Sequence, residues 1–209
     1  MDQPPLSPEQ VSWGTEPAER ADAARNRRLL LATAREMLAA DGVDKLTMDG
    51  LAERAGLGKG TVFRRFGTRA GIFRALLDDA ERSFQELVLT GPPPLGPGAP
   101  PLDRLVAYGR ARIGFLIEHR DIARATLDGS EPIPAGSRTP MSQLHIRVLL
   151  GQMDIGPADL DMLAVQLSAA LDGPLLLYLS ADDLAEPAPR TAERIARAWQ
   201  DLIRRACRP

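Results

Sequence analysis

Apolar residues along this chain recur every three or four positions and never alternate, a period that predicts helices throughout and no strands. The first such stretch covers residues 21–40, with Leu30, Ala34, Met37 and Leu38 on one face. It is ended by Asp41-Gly42, where glycine suits the position just past a helix. Residues 46–66, LTMDGLAERAGLGKGTVFRRF, read as a short helix, a tight turn and a second short helix. Thr47 is a good N-cap and Asp49 places negative charge in the first turn. Leu51, Ala52 and Ala55 form a small apolar face, Gly56 fits a left-handed C-cap, and Leu57 is expected to plug the turn. The second helix opens near Gly58 or Lys59 and runs to about Arg65, with Val62 and Phe66 pointing back at the first. Thr68 then caps a helix reaching about Leu89, whose apolar face runs from Ile72 and Phe73 through Phe84 to Val88.

Residues 90–101, TGPPPLGPGAPP, lack the donors and the stiffness for helix or sheet, so they form a linker or a long loop. Helices are expected over 102–118 and 121–127, then a break at DGSEPIPAGSRTP, then a helix over 141–153. Pro157 suits a first helical position and would open a long apolar helix to about Leu179. Gly173-Pro174 is expected to kink that helix. After a turn-rich break at 182–189, residues 190–207 make a last amphipathic helix. The fold class is all-α with about nine helices. A polar, proline-bearing tail (1–20) is expected to be disordered, with Trp13 its odd member. A three-helix module follows over 21–70 and a larger helical domain over 71–209.

Two helices joined by a short glycine-containing turn are the helix-turn-helix signature, whose second helix can enter a DNA major groove. Charge changes the picture in the same direction. No acidic residue lies between Arg54 and Leu77, and residues 25–82 carry a surplus of four positive charges in a chain of formal net charge −2. A locally basic module in an acidic protein fits phosphate binding, whereas charge alone would equally fit a solvated face. All basic residues except Lys45 and Lys59 are arginine, which supplies planar forks for phosphate and guanine.

The segment resembles the DNA-binding domain of the tetracycline-repressor (TetR) family of bacterial transcriptional regulators. Thr47, Ala52, Ala55-Gly56, Gly60-Thr61-Val62-Phe63, Phe66 and Arg69 carry the likeness, over about residues 25–75. Gly58 stands where the family usually has a capping Ser, Phe63 replaces a common Tyr, and Arg65 occupies a position often His or Tyr. The resemblance implies a repressor that binds a palindromic double-stranded operator as a homodimer and responds to a small molecule. Lys59, Thr61, Phe63, Arg64 and Arg65 are expected to face groove and backbone, with Gly60 allowing close approach. Thr47 and Arg69 are expected to bind phosphates at helix N-termini, and Arg27 and Arg28 to reach the backbone nearby.

In the family the second domain holds the effector pocket. Candidate linings are Tyr108, Arg112, Phe115, His119, Met141, His145 and Tyr178, polar or bulky residues on otherwise apolar helices. The last two long helices are apolar beyond one stripe, and in the family they pair with a second copy. Leu163, Leu167, Leu171, Ile195, Trp199 and Leu202 are the candidate dimer contacts.

Enzyme chemistry finds no support in the sequence. His119 and His145, the only histidines, form no metal-binding spacing, and GLGKG lacks the preceding strand and the Ser/Thr of a phosphate loop. Asp78-Asp79 and Asp182-Asp183 are adjacent pairs that point apart on a helix. No metal or cofactor is implied. No apolar run is long enough for a membrane span, the N-terminus lacks a secretory pattern, and the single Cys207 cannot form an internal disulfide, so a cytoplasmic protein is expected. A DNA-binding dimer without any effector, controlled by a protein partner or by abundance, is the alternative.

Overall fold

The computed structural model describes residues 16–126, 140–179 and 188–207. Nine α-helices and one 3-10 turn make up the regular structure among them, with no strand. The chain divides into two compact units, Met1–Ile72 and Phe73–Pro209.

In the first unit α1 spans Glu16–Asp41, starting five residues before the expected point. Residues 16–20 of the expected tail are therefore helical, while the remainder of that tail, with Trp13, lies outside the described residues. Gly42, at φ 80°, ends α1, and a 3-10 turn over Val43–Lys45 that the periodicity did not predict leads to α2 (Met48–Arg54) and α3 (Lys59–Phe66). Leu30, Leu31, Ala34, Leu46, Leu51 and Val62 are all at most 2% exposed and form the small core. α4 (Arg69–Thr90) opens with Thr68 Oγ1 accepting from the Gly71 amide at 3.1 Å.

The second unit continues α4 and adds α5 (Pro101–Glu118), α6 (Arg120–Ala125), α7 (Pro140–Leu150), α8 (Leu160–Leu179) and α9 (Ala188–Ala206). Residues 91–100 are a turn-rich loop whose Leu95 packs on the unit's core, so they are part of the unit. α8 begins at Leu160 with Asp159 Oδ1 accepting from the Met162 amide at 3.1 Å, and Pro157 lies before it. A carboxylate that satisfies an orphan amide defines that helix start better than a proline that only tolerates it. α8 continues through Gly173-Pro174 as helix to Leu179. The expected breaks over 128–140 and 182–189 lie outside the described residues except at their ends, where α7 already starts at Pro140 and α9 at Ala188, two residues before the expected 190.

Three of the candidate dimer contacts belong to this core. Leu167, Leu171 and Trp199 are 3%, 2% and 3% exposed within a single chain, and the Trp199 indole N–H donates to the Leu105 carbonyl at 3.2 Å. Their period reported burial correctly but not against what. Cys207, the single cysteine, closes the same core. Burial raises its thiol pKa and it behaves as a small hydrophobe.

Candidate nucleic-acid interface and effector site

α2 and α3 are held at a fixed angle by hydrogen bonds that can be read residue by residue. Thr47 Oγ1 accepts from the Gly50 amide at 3.0 Å, which satisfies one orphan donor of α2. At the other end Gly56 adopts φ 64°, its amide donates to Glu53 O at 3.1 Å, and the Leu57 amide donates to Ala52 O at 3.0 Å. That reciprocal pair is the Schellman closure, and it allows only glycine-like backbone at Gly56. α3 then starts at Lys59 with Gly58 as N-cap and no side-chain cap, and Val62 fully buried anchors its inner face.

The outer face of α3 is free. Phe63 is 66% exposed, an unusual state for an aromatic ring in an isolated chain. Arg64 and Arg65 are exposed beside it, Arg64 making only a long contact from Nε to the Gly60 carbonyl at 3.4 Å. A Cβ at Gly60 would meet nothing within 4 Å, so the fold itself does not need glycine there. Lys59 is also exposed but pairs with Asp49 of α2 at 2.8 Å, a partner the sequence did not suggest. Arg28 is exposed on α1 and Arg27 half-buried.

Arg69 departs from expectation. Its Nε donates to the Leu46 carbonyl at 2.7 Å and a terminal nitrogen donates to the Val43 carbonyl at 2.6 Å. The guanidinium thus spans the 3-10 turn and ties down the entry to α2, using two of its five N–H donors. It is a positioning residue for the helix-turn-helix. Thr47 remains compatible with a phosphate, because its oxygen accepts internally while the hydroxyl proton is still available.

In the second unit the candidate lining residues are partly gathered. Arg104, Tyr108, Arg112 and Phe115 lie four, four and three residues apart, one face of α5. Arg112 is 3% exposed, pairs with Glu81 of α4 at 2.5 Å, and stacks over the rings of Phe84 and Phe115, 5.6 and 5.1 Å from their centroids. The Tyr108 hydroxyl donates to Ser142 Oγ at 2.6 Å, and burial raises its pKa above the ordinary phenol value. His145 of α7 packs its ring 4.8 Å from Tyr108. Burial, then the nearby Arg104 cation, lowers its pKa to about 4, so it is neutral at physiological pH.

Not every candidate joins this cluster. His119 turns back on its own helix, bonding the Phe115 carbonyl at 2.8 Å and stacking on that ring at 4.3 Å, so it finishes α5. Met141 is half-buried in the first turn of α7, and the Tyr178 side chain lies outside the described part. Glu81, Phe84, Arg104 and Ser142 join the cluster without having been expected there. Glu81 and Arg104 stand beside other charges in the sequence, Asp79 and Arg82 for the one and Asp103 for the other, so no local pattern marked them.

Among the described residues no group of three or more His, Cys, Asp or Glu could hold a metal ion, and no helix is long and apolar enough to cross a membrane. Residues 30–76 match the sequence profile of the bacterial regulatory proteins of the tetR family. Over 59 residues, 28% of this chain, the sequence is 39% identical to the DNA-binding transcriptional repressor TetR of Mycobacteroides abscessus, and the match spans 31% of that protein's length. Along most of its length the chain is similar to a solved TetR-family transcriptional regulator from Pectobacterium atrosepticum, at 20% identity and a TM-score of 0.67, covering 91% of this chain and 98% of that one. A regulator of the TetR/AcrR family from Thermobifida fusca is similar at 18% identity and a TM-score of 0.58, covering 85% and 97%. At such identities the whole-chain likeness establishes the fold.

Proposed function

We propose that this chain, whose residues 30–76 match the bacterial regulatory proteins of the tetR family, is a cytoplasmic DNA-binding transcriptional repressor. It acts as a homodimer on a palindromic operator and is controlled by a small-molecule effector. One observation carries the DNA-binding reading: α3, anchored by the fully buried Val62, presents Phe63, Arg64 and Arg65 outward with little internal use for them. Arginine reads guanine edges bidentately, an exposed ring suits the thymine methyl, and cations at the helix ends track phosphate. Gly60 lets the backbone approach closely. Twofold pairing would set two such helices one DNA turn apart, roughly 34 Å. Buried polar groups without partners in the second unit support the effector reading.

The test is binding of the purified chain to the DNA upstream of its own gene and to random DNA, at matched salt because counterion release moves affinity by orders of magnitude. Selective binding with two chains per palindrome is expected. Arg65→Ala should cost about 1–3 kcal/mol on the operator if it reads a base. Equal weak binding of the unaltered protein to both DNAs, at every effector and salt condition, would refute the proposal.

A further inference from the structure

Buried donors around α5 are left without partners. Arg104 Nε, Arg112 Nε and His145 Nε2 are all buried and hydrogen-bonded to nothing. Native interiors satisfy nearly all such atoms, and an unpaired buried donor on a cation is costly, so Arg112, itself 3% exposed, calls for an outside acceptor at its Nε. The two arginine nitrogens can only donate, and a neutral imidazole nitrogen can be the donor in one of its tautomers. The missing partner is therefore rich in acceptor oxygen. It also meets an aromatic wall, since Phe84 lies 5.2 Å from Phe115 and 5.9 Å from Tyr108, ring to ring.

We propose that the effector is an organic acid with an apolar body, its carboxylate taken by Arg112 and its body laid against the Phe84 and Phe115 rings. The inference rests on the effector reading above and names the ligand's chemical class. Arg112 already holds one carboxylate, that of Glu81 on α4, at 2.5 Å. An incoming acid thus meets a cation trained on its own kind of group, and competes with Glu81 for it. Glu81 is 19% exposed in its side chain, against 3% for Arg112, so it is the partner with water nearby to receive it when displaced. An amine ligand would find unpaired donors and a cation, both repulsive. A neutral amide or alcohol that displaced Glu81 would leave the buried Arg112 charge uncompensated.

The experiment pairs acids with their own primary amides. Phenylacetate, 3-phenylpropionate, indole-3-acetate and octanoate are titrated into the full chain beside the matching amides and amines, with melting temperature and calorimetric affinity as readouts. Members of the acid set should raise the melting temperature while their amides do not, by linkage to the folded state. Glu81→Gln removes the rival carboxylate and should tighten acid binding about tenfold. Arg112→Gln should abolish it. Should Arg112→Gln fail to fold, the sign of the Glu81→Gln effect still decides. Amides or amines that stabilise as well as acids would overturn the acid class and leave an effector site in place. Glu81→Gln binding acids no tighter than the parent would overturn the competition. If acids, amides, amines and a chemically mixed set of other small molecules all leave the melting temperature unmoved, the effector reading falls and this inference with it.

Discussion

At the scale of single residues, Arg69 and Gly60 separate what the fold needs from what a partner needs. Arg69 looks like a phosphate ligand in the sequence because it is a cation opening a helix beside the recognition element. Its two carbonyl partners lie 23 and 26 residues upstream, a relation no local pattern discloses. Arg69→Lys keeps the charge but cannot span two carbonyls with a planar fork. It should destabilise the first unit by roughly 1.5–3 kcal/mol, the worth of charge-assisted bonds to partly buried carbonyls, as read from urea midpoints. A phosphate ligand would instead tolerate lysine with stability unchanged. Gly60 is the reverse case. With open space where an added methyl group would sit, Gly60→Ala should stabilise α3 by up to about 1 kcal/mol, since glycine is a poor helix former. The same change should weaken operator binding at least tenfold, on the order of 1.4 kcal/mol. Gain in melting temperature with loss of DNA binding is the expected signature; loss of both would make Gly60 a structural residue.

At the scale of elements, most of the architecture was legible and the reasons are particular. Ala55-Gly56-Leu57 announced the end of α2 because a left-handed glycine flanked by apolar residues is what a Schellman closure requires. The 3-10 turn at Val43–Lys45 was not legible, since three residues show no period. The start of α8 was misplaced because Pro157 is a permissive signal and Asp159 a satisfying one. Periodicity also could not say which apolar positions face a neighbouring helix of the same chain. The meeting of α5 and α9 is the clearest example. A Cβ at Gly109 would lie 1.9 Å from Trp199 Nε1 and 2.2 Å from Cε2, so the indole sits directly on a glycine of α5. Gly109→Ala must push the ring away and break its bond to the Leu105 carbonyl. Overpacking plus a lost buried bond should cost about 3 kcal/mol. Adding Trp199→Leu to Gly109→Ala should be less than additive in melts, because both changes act on one contact. Strict additivity would show that α5 and α9 do not meet through this pair.

At the scale of the whole molecule, the question is which surface a second copy would cover. With Leu167, Leu171 and Trp199 occupied inside their own unit, what α8 and α9 offer outward is Met162, Val165 and Leu202, at 53%, 42% and 41% exposure, with Leu163 and Ile195 half-buried beside them. Single exposed aliphatics are ordinary, but Met162 and Val165, one turn apart on α8, together with Leu202 of α9 fit an interface. Val165→Glu with Leu202→Glu buries nothing within one chain, so the thermal stability of a monomer should fall by less than about 1 kcal/mol. In a dimer the same pair would set four carboxylates into an apolar contact. Sedimentation should then show a dimer for the parent at micromolar concentration and a monomer for the variant. Operator affinity should fall by roughly 10²–10⁴, the advantage of linking two weak half-site contacts at high effective concentration. Binding to random DNA should change far less, because phosphate contacts of each helix-turn-helix are untouched. A parent that sediments as a monomer, or a variant that stays dimeric and keeps its operator affinity, would move the interface off α8 and α9 and turn attention to Leu144 and Val148 of α7, at 51% and 45% exposure.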